Sequence, residues 1–90
     1  MSAAKNSPAL REASGLKNVG LKATLPRMQV LEILRASPHR HLSADAIYRR
    51  FLDQGLDVGL ATVYRVLSQL EAAGILSRNV FEGGKAVFEI

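Results

Sequence analysis

Tyr64 and Arg65 stand side by side in a stretch, Gly59 to Gly74, whose remaining outward residues are small. Stepped round at about 100° per residue, Val63, Val66, Leu67, Leu70 and Ala73 gather on one face, the i, i+3, i+4, i+7 spacing of a helix packed on a core. Ala61, Tyr64, Arg65, Ser68 and Ala72 fall on the other. An ordinary solvated face is filled with Glu and Lys. Small side chains instead let a helix approach a surface closely, and an aromatic ring beside a guanidinium gives that surface something to grip. The pattern is that of a helix over residues 59–73 that enters the major groove of DNA.

Each candidate contact has a plainer alternative. Tyr64 on an unremarkable helix would lie flat on the domain with its hydroxyl in water, but its place opposite Leu67 and Leu70 leaves little core to lie on. Arg65 is either an ordinary surface arginine, a partner of Glu71 or Asp57, or a group that reaches a phosphate or a guanine edge. Thr62 caps its own backbone or, with the free N–H groups of that helix end, suits a phosphate oxygen. Ala61 is a good helix former whose methyl is also small enough to admit a thymine methyl. Arg78 and Lys85 flank a glycine turn, where they are either solvated or in sequence-independent contact with phosphates. Lys22 lies in a loop, and a lone loop lysine is ordinarily solvated.

Other constellations carry less. His39 and His41 form an H-x-H pair in a loop, but a metal site needs three or four convergent ligands, and the residues nearby supply no others. Gly83-Gly84 between two apolar segments reads as a turn rather than a phosphate cradle. Nothing spaces Ser, His and Asp as a catalytic set, so the expectation is a protein that is not an enzyme.

The elements that must hold these residues fit one small domain. The chain has 90 residues, 48% of them hydrophobic, enough for one modest core. It has no cysteine, which excludes disulfides and thiolate chemistry within it and fits a cytoplasmic location. No apolar run is long enough to span a membrane. The net charge is +4, and Arg11, Lys17, Lys22, Arg27, Arg49, Arg50, Arg65, Arg78 and Lys85 are spread along the chain. A basic surface must therefore be assembled by folding.

Residues 1–7 show no periodicity and read as a disordered N-terminus. Ser7-Pro8 opens a first helix with Ser as N-cap, a weak apolar stripe of Leu10, Ala13, Leu16 (or Lys17) and Val19, and Gly20 as its close. Thr24-Leu25-Pro26 opens a second, apolar over more than half its circumference (Met28, Val30, Leu31, Ile33, Leu34) and so central, with Ser37-Pro38 ending it. His39 to Leu42 is short and irregular. Ser43 caps a third helix in which Ala44, Ile47, Tyr48, Phe51 and Leu52 repeat at amphipathic spacing, with Gly55 at its end. After Gly74 the period becomes alternating, and Ile75–Phe81 and Ala86–Ile90 form a hairpin about Glu82-Gly83-Gly84-Lys85. The expected fold is mainly α with a small antiparallel β wing, a winged helix-turn-helix over residues 8–90. A further strand pairing belongs to that fold, but the sequence does not locate it. A chain whose last residue lies in a strand is expected to be part of a longer protein.

Four blocks resemble the N-terminal domain of the ferric uptake regulator family: Gly20-Leu21-Lys22-Ala23-Thr24-Leu25-Pro26-Arg27, His41-Leu42-Ser43-Ala44-Asp45, Gly59-Leu60-Ala61-Thr62-Val63-Tyr64-Arg65-Val66-Leu67, and Asn79 to Glu89 with its Phe81-Glu82-Gly83-Gly84-Lys85 core. They occur in order across residues 16–90, and the Gly59-Leu60 and F-E-G-G-K features resemble the iron-sensing branch. The resemblance implies a cytoplasmic bacterial repressor that binds AT-rich operators as a homodimer, through a C-terminal domain absent from this chain. It implies that Tyr64 packs on thymine methyls and that Lys22 enters the narrow minor groove. It also matches His41 and Glu89 to ligands of an Fe²⁺ site that accepts Mn²⁺ or Zn²⁺ as surrogate. The remaining ligands would lie in the absent domain, so this chain alone is expected to hold no metal tightly and to be monomeric or weakly associated. Asn79-Val80 depart from the histidine that relatives often carry there. The alternatives are a winged helix used for protein contact, or the DNA-binding domain of a zinc-, manganese- or peroxide-sensing relative.

Overall fold

The computed structural model describes residues 8–38, 41–81 and 83–90. The expectations for residues 1–7, for Ser7 as a cap, for His39 and for Glu82 in the turn lie outside the described residues. Four helices, α1 (Pro8–Asn18), α2 (Leu25–Ala36), α3 (Ala44–Asp53) and α4 (Leu60–Ala72), are joined by three short strands, β1 (His41–Leu42), β2 (Ser77–Val80) and β3 (Ala86–Glu89). The architecture is a winged helix: a helical body with an antiparallel sheet in the order β1-β3-β2. Among the described residues no helix is long and apolar enough to cross a membrane.

α2 is the centre. It packs on α1, α3 and α4, and it buries Val30, Leu31, Ile33 and Leu34. These join Leu16, Ile47, Phe51, Val63, Leu67, Leu70, Leu76 and Phe88 in one core. Ser37 ends α2 in an extended conformation, and its N–H donates to the carbonyls of Ile33 and Leu34. Ser43 opens α3 as expected, its Oγ accepting from the Ala46 N–H at 3.2 Å. Because that bond satisfies a helix-end donor, Ser43→Ala is expected to cost about 1 kcal/mol. A thermal melt should show it as a fall of roughly 4–8 °C for a domain of this size.

Four expectations need correction. The region before Ser43 is not wholly irregular: His41–Leu42 form β1, which pairs with β3 through His41↔Glu89 and Leu42↔Phe88. The first strand of the hairpin does not begin at Ile75. Gly74 takes a left-handed φ of 80°, and the N–H groups of Ile75 and Leu76 turn back onto the Leu70 carbonyl, closing α4 before β2 starts at Ser77. Of the stripe expected for α1, Leu16 is buried, but Leu10 is exposed, and Val19 lies past the helix end and is exposed too. The second buried position of that helix is Glu12, which accepts a charge-assisted bond from Arg35 Nε of α2. In α3, Leu52 is exposed although it shares the amphipathic spacing of Phe51.

Candidate nucleic-acid interface

Gly59 is the N-cap of α4, its carbonyl accepting from the Val63 N–H, and no side chain caps that end. Its first N–H groups therefore have no intrahelical acceptor, and they give the helix a positive end beside Ala61 and Thr62. The inward face buries Val63, Val66, Leu67 and Leu70. That seating turns Ala61, Tyr64, Arg65, Ser68 and Ala72 to solvent, with Tyr64 49% exposed and Thr62 half-buried at the margin. No ion pair holds Arg65 to Glu71 or Asp57.

The hairpin stands beside this face. A cleft of about 570 Å³ separates the two, with Tyr64, Ser68 and Glu71 on the α4 side, Asp45 at the start of α3, and Arg78 and Lys85 on the hairpin side. The fold thus brings Tyr64, Arg78 and Lys85 to one opening. Gly83 and Gly84 both take positive φ, 88° and 77°, which tightens the turn and sets Lys85 at the mouth of the cleft. Lys22 is not in this opening. It is exposed on a separate groove with Lys17, Leu21 and Ala23, between the end of α1 and the start of α2.

Sequence reasoning missed the residue that ties the two regions together. Arg27, half-buried in the first turn of α2, donates from Nη1 to the Lys22 carbonyl at 2.9 Å. Its Nε and Nη2 donate to Gln69 Oε1 of α4 at 3.2 and 3.0 Å. No local signal pairs residues so far apart, and in the sequence Arg27 is one cation among several.

His41 and Glu89 meet on the sheet. They are directly opposed in the β1–β3 register, so their side chains leave the same face. Asn79, in β2, donates from Nδ2 to Glu89 Oε1 at 3.1 Å. Alternation puts this group on the sheet face opposite Arg78, Ala86 and Phe88, which line the cleft. An imidazole and a carboxylate are a donor set that Fe²⁺, Mn²⁺ and Zn²⁺ all accept. They fit as part of such a site and would supply two of its donors. Among the described residues no three His, Cys, Asp or Glu side chains converge.

Comparison with known proteins bears on this arrangement. The sequence model of the ferric uptake regulator family matches residues 18–90. The chain belongs to that family. The family is one of transcriptional regulators, not of enzymes. The chain is 63% identical over 75 residues to the ferric uptake regulation protein of Cupriavidus metallidurans, a match that covers 83% of this chain and 52% of the relative. The solved ferric uptake regulator of Vibrio cholerae superposes with a TM-score of 0.80 at 52% identity, covering 86% of this chain and 59% of that one. The Pseudomonas aeruginosa ferric uptake regulator, solved with manganese, gives 0.82 at 53% identity, covering 88% and 59%. The chain thus spans between half and three-fifths of the length of these relatives.

Proposed function

We propose that this chain is the DNA-binding half of a metal-dependent transcriptional repressor of the bacterial cytoplasm, with α4 as the recognition helix in the major groove of AT-rich operators. The observation that carries the reading is the outward face of α4, where a half-exposed tyrosine and an arginine with no ion pair among the described residues stand among small residues. In this reading Tyr64 and Ala61 pack on thymine methyls, and Arg65 meets a phosphate or a guanine edge. Thr62 and the helix end take a phosphate oxygen, Lys22 enters the minor groove, and Arg78 and Lys85 meet the backbone from the wing. Residues 8–90 form this domain. The domain that pairs two copies lies in the part of the relatives' length that this chain does not span.

His41 and Glu89 would hold part of a divalent site for Fe²⁺, or for Mn²⁺ or Zn²⁺ in its place. A bound ion would supply a cross-link at the outer sheet face. Two ligands do not complete a site, so the chain alone is read as binding metal weakly, as monomeric or weakly associated, and as lacking the second half-site of a dimer.

A duplex titration tests the DNA reading. Lys22, Arg65, Arg78 and Lys85 together neutralise about three to four phosphates, each contributing about −0.9 to the slope of log affinity against log salt. Affinity for a labelled AT-rich duplex should therefore fall roughly a hundredfold between ~50 and ~200 mM salt. An affinity indifferent to salt would assign the Tyr64 face to a protein partner instead.

A further inference from the structure

We propose that Arg27 is a positioning residue for DNA binding: its guanidinium fastens the Lys22 loop to the recognition helix, so that the two groove contacts engage as one rigid unit. The inference rests on the reading of Lys22 and α4 as DNA contacts. Three N–H groups of one planar fork are committed, one to the Lys22 carbonyl and two to the Gln69 side-chain oxygen. Guanidinium has no acceptor capacity, so the Gln69 amide must present its oxygen to it.

The loop is held from other directions as well. The Lys22 carbonyl also accepts from the Thr24 N–H at 2.9 Å, and the Leu21 N–H donates to the Leu16 carbonyl at 2.8 Å. The backbone on both sides of Lys22 is thereby fixed while Lys22 itself stays exposed. A loop ordered before it meets DNA does not lose that freedom on binding, which raises affinity without a new contact. Gln69 sits one turn beyond Arg65 on α4, so the clamp reads the position of the helix directly. Lysine at position 27 would keep the charge but not the fork, since an ammonium is a compact point charge rather than a flat set of paired donors.

The test is a double-mutant cycle on the 90-residue chain, titrated with a labelled AT-rich duplex over a salt series, with a thermal melt of every variant. Arg27→Lys is expected to weaken binding about three- to tenfold and to lower the salt slope by about one, the contribution of the Lys22 charge. Lys22→Ala should do the same, and the double variant should bind within about twofold of Lys22→Ala alone. Gln69→Ala, which opens the other end of the clamp, should shift affinity in the same direction, and it carries the test if Arg27→Lys lowers the melting temperature. Wild-type affinity in both Arg27→Lys and Gln69→Ala would overturn the clamp. So would losses that multiply in the double variant, since Arg27 would then act independently of Lys22. If Lys22→Ala is silent while Tyr64→Ala still weakens binding, the clamp falls with the Lys22 assignment and the major-groove reading stands. If the wild-type chain binds no duplex even at low salt, both readings fall.

Discussion

Tyr64→Ala is expected to lower affinity for an AT-rich duplex roughly fiftyfold while leaving the folded chain as stable as before. The first half of that expectation comes from area. A tyrosine buries about 150–250 Å² when fully enclosed, and Tyr64 is 49% exposed in the free chain. Groove contact therefore removes on the order of 100 Å² more. At about 25 cal/mol per Å² this is ~2.5 kcal/mol, or between one and two decades in Kd. The second half comes from position: Tyr64 lies on the face of α4 that the core does not use, where substitutions change stability by about 0.5 kcal/mol or less. Tyr64→Phe keeps the ring and should keep most of the affinity. Fluorescence anisotropy and a thermal melt on the same samples check both halves. Unchanged affinity in Tyr64→Ala would remove α4 from the groove.

Phe51→Ala should act in the opposite manner, by unfolding the domain without touching its surface. Phe51 is fully buried between the helices. Truncating a buried phenylalanine costs about 3–5 kcal/mol in lost transfer energy and residual cavity. A folded domain has about 5–15 kcal/mol in total, and small ones lie toward the lower end. The melting temperature should fall by about 15 °C or more, and DNA binding should be lost in proportion to the unfolded fraction. The adjacent Leu52→Ala is the control. Its side chain is 54% exposed, so the melt should hardly move. Equal destabilisation by the two would mean that α3 is rotated about its axis from the position described.

Those two neighbours also show where sequence reasoning stops. Phe51 and Leu52 fit the same amphipathic repeat, and only the packing of α3 on the rest of the core separates them. α4 was legible because its two faces differ in chemistry as well as in polarity: its exposed face follows from the 3.6 period, and Gly59 and Gly74 mark its limits. The ends of α2 and α3 were legible from Pro26, Ser37-Pro38 and Ser43, whose effects are local. β1 was not. Two residues carry no periodicity, and His41–Leu42 are a strand only because β3 arrives beside them from the far end of the chain. α1 misled for a related reason: its buried acid, Glu12, is acceptable only because Arg35 of another helix meets it. The extent of β2 misled because all four of its residues are exposed, so no alternation in burial marks where it begins. At the candidate interface the exposed groups were readable one by one, whereas the bond network joining Lys22 to α4 needed the fold.

The short β1 has a mechanical consequence. It belongs to the connection between α2 and α3, whereas β3 is the returning arm of the hairpin, so two residue pairs stitch that arm to the connection, in addition to the burial of Phe88 in the core. With them opened, the arm would still be held to the body by Phe88, buried in the core, and by the packing of β3 on α3. One of the two stitches is His41 against Glu89. A group bonded to both of those side chains would therefore add a rivet across the seam between the arm and the α2–α3 connection.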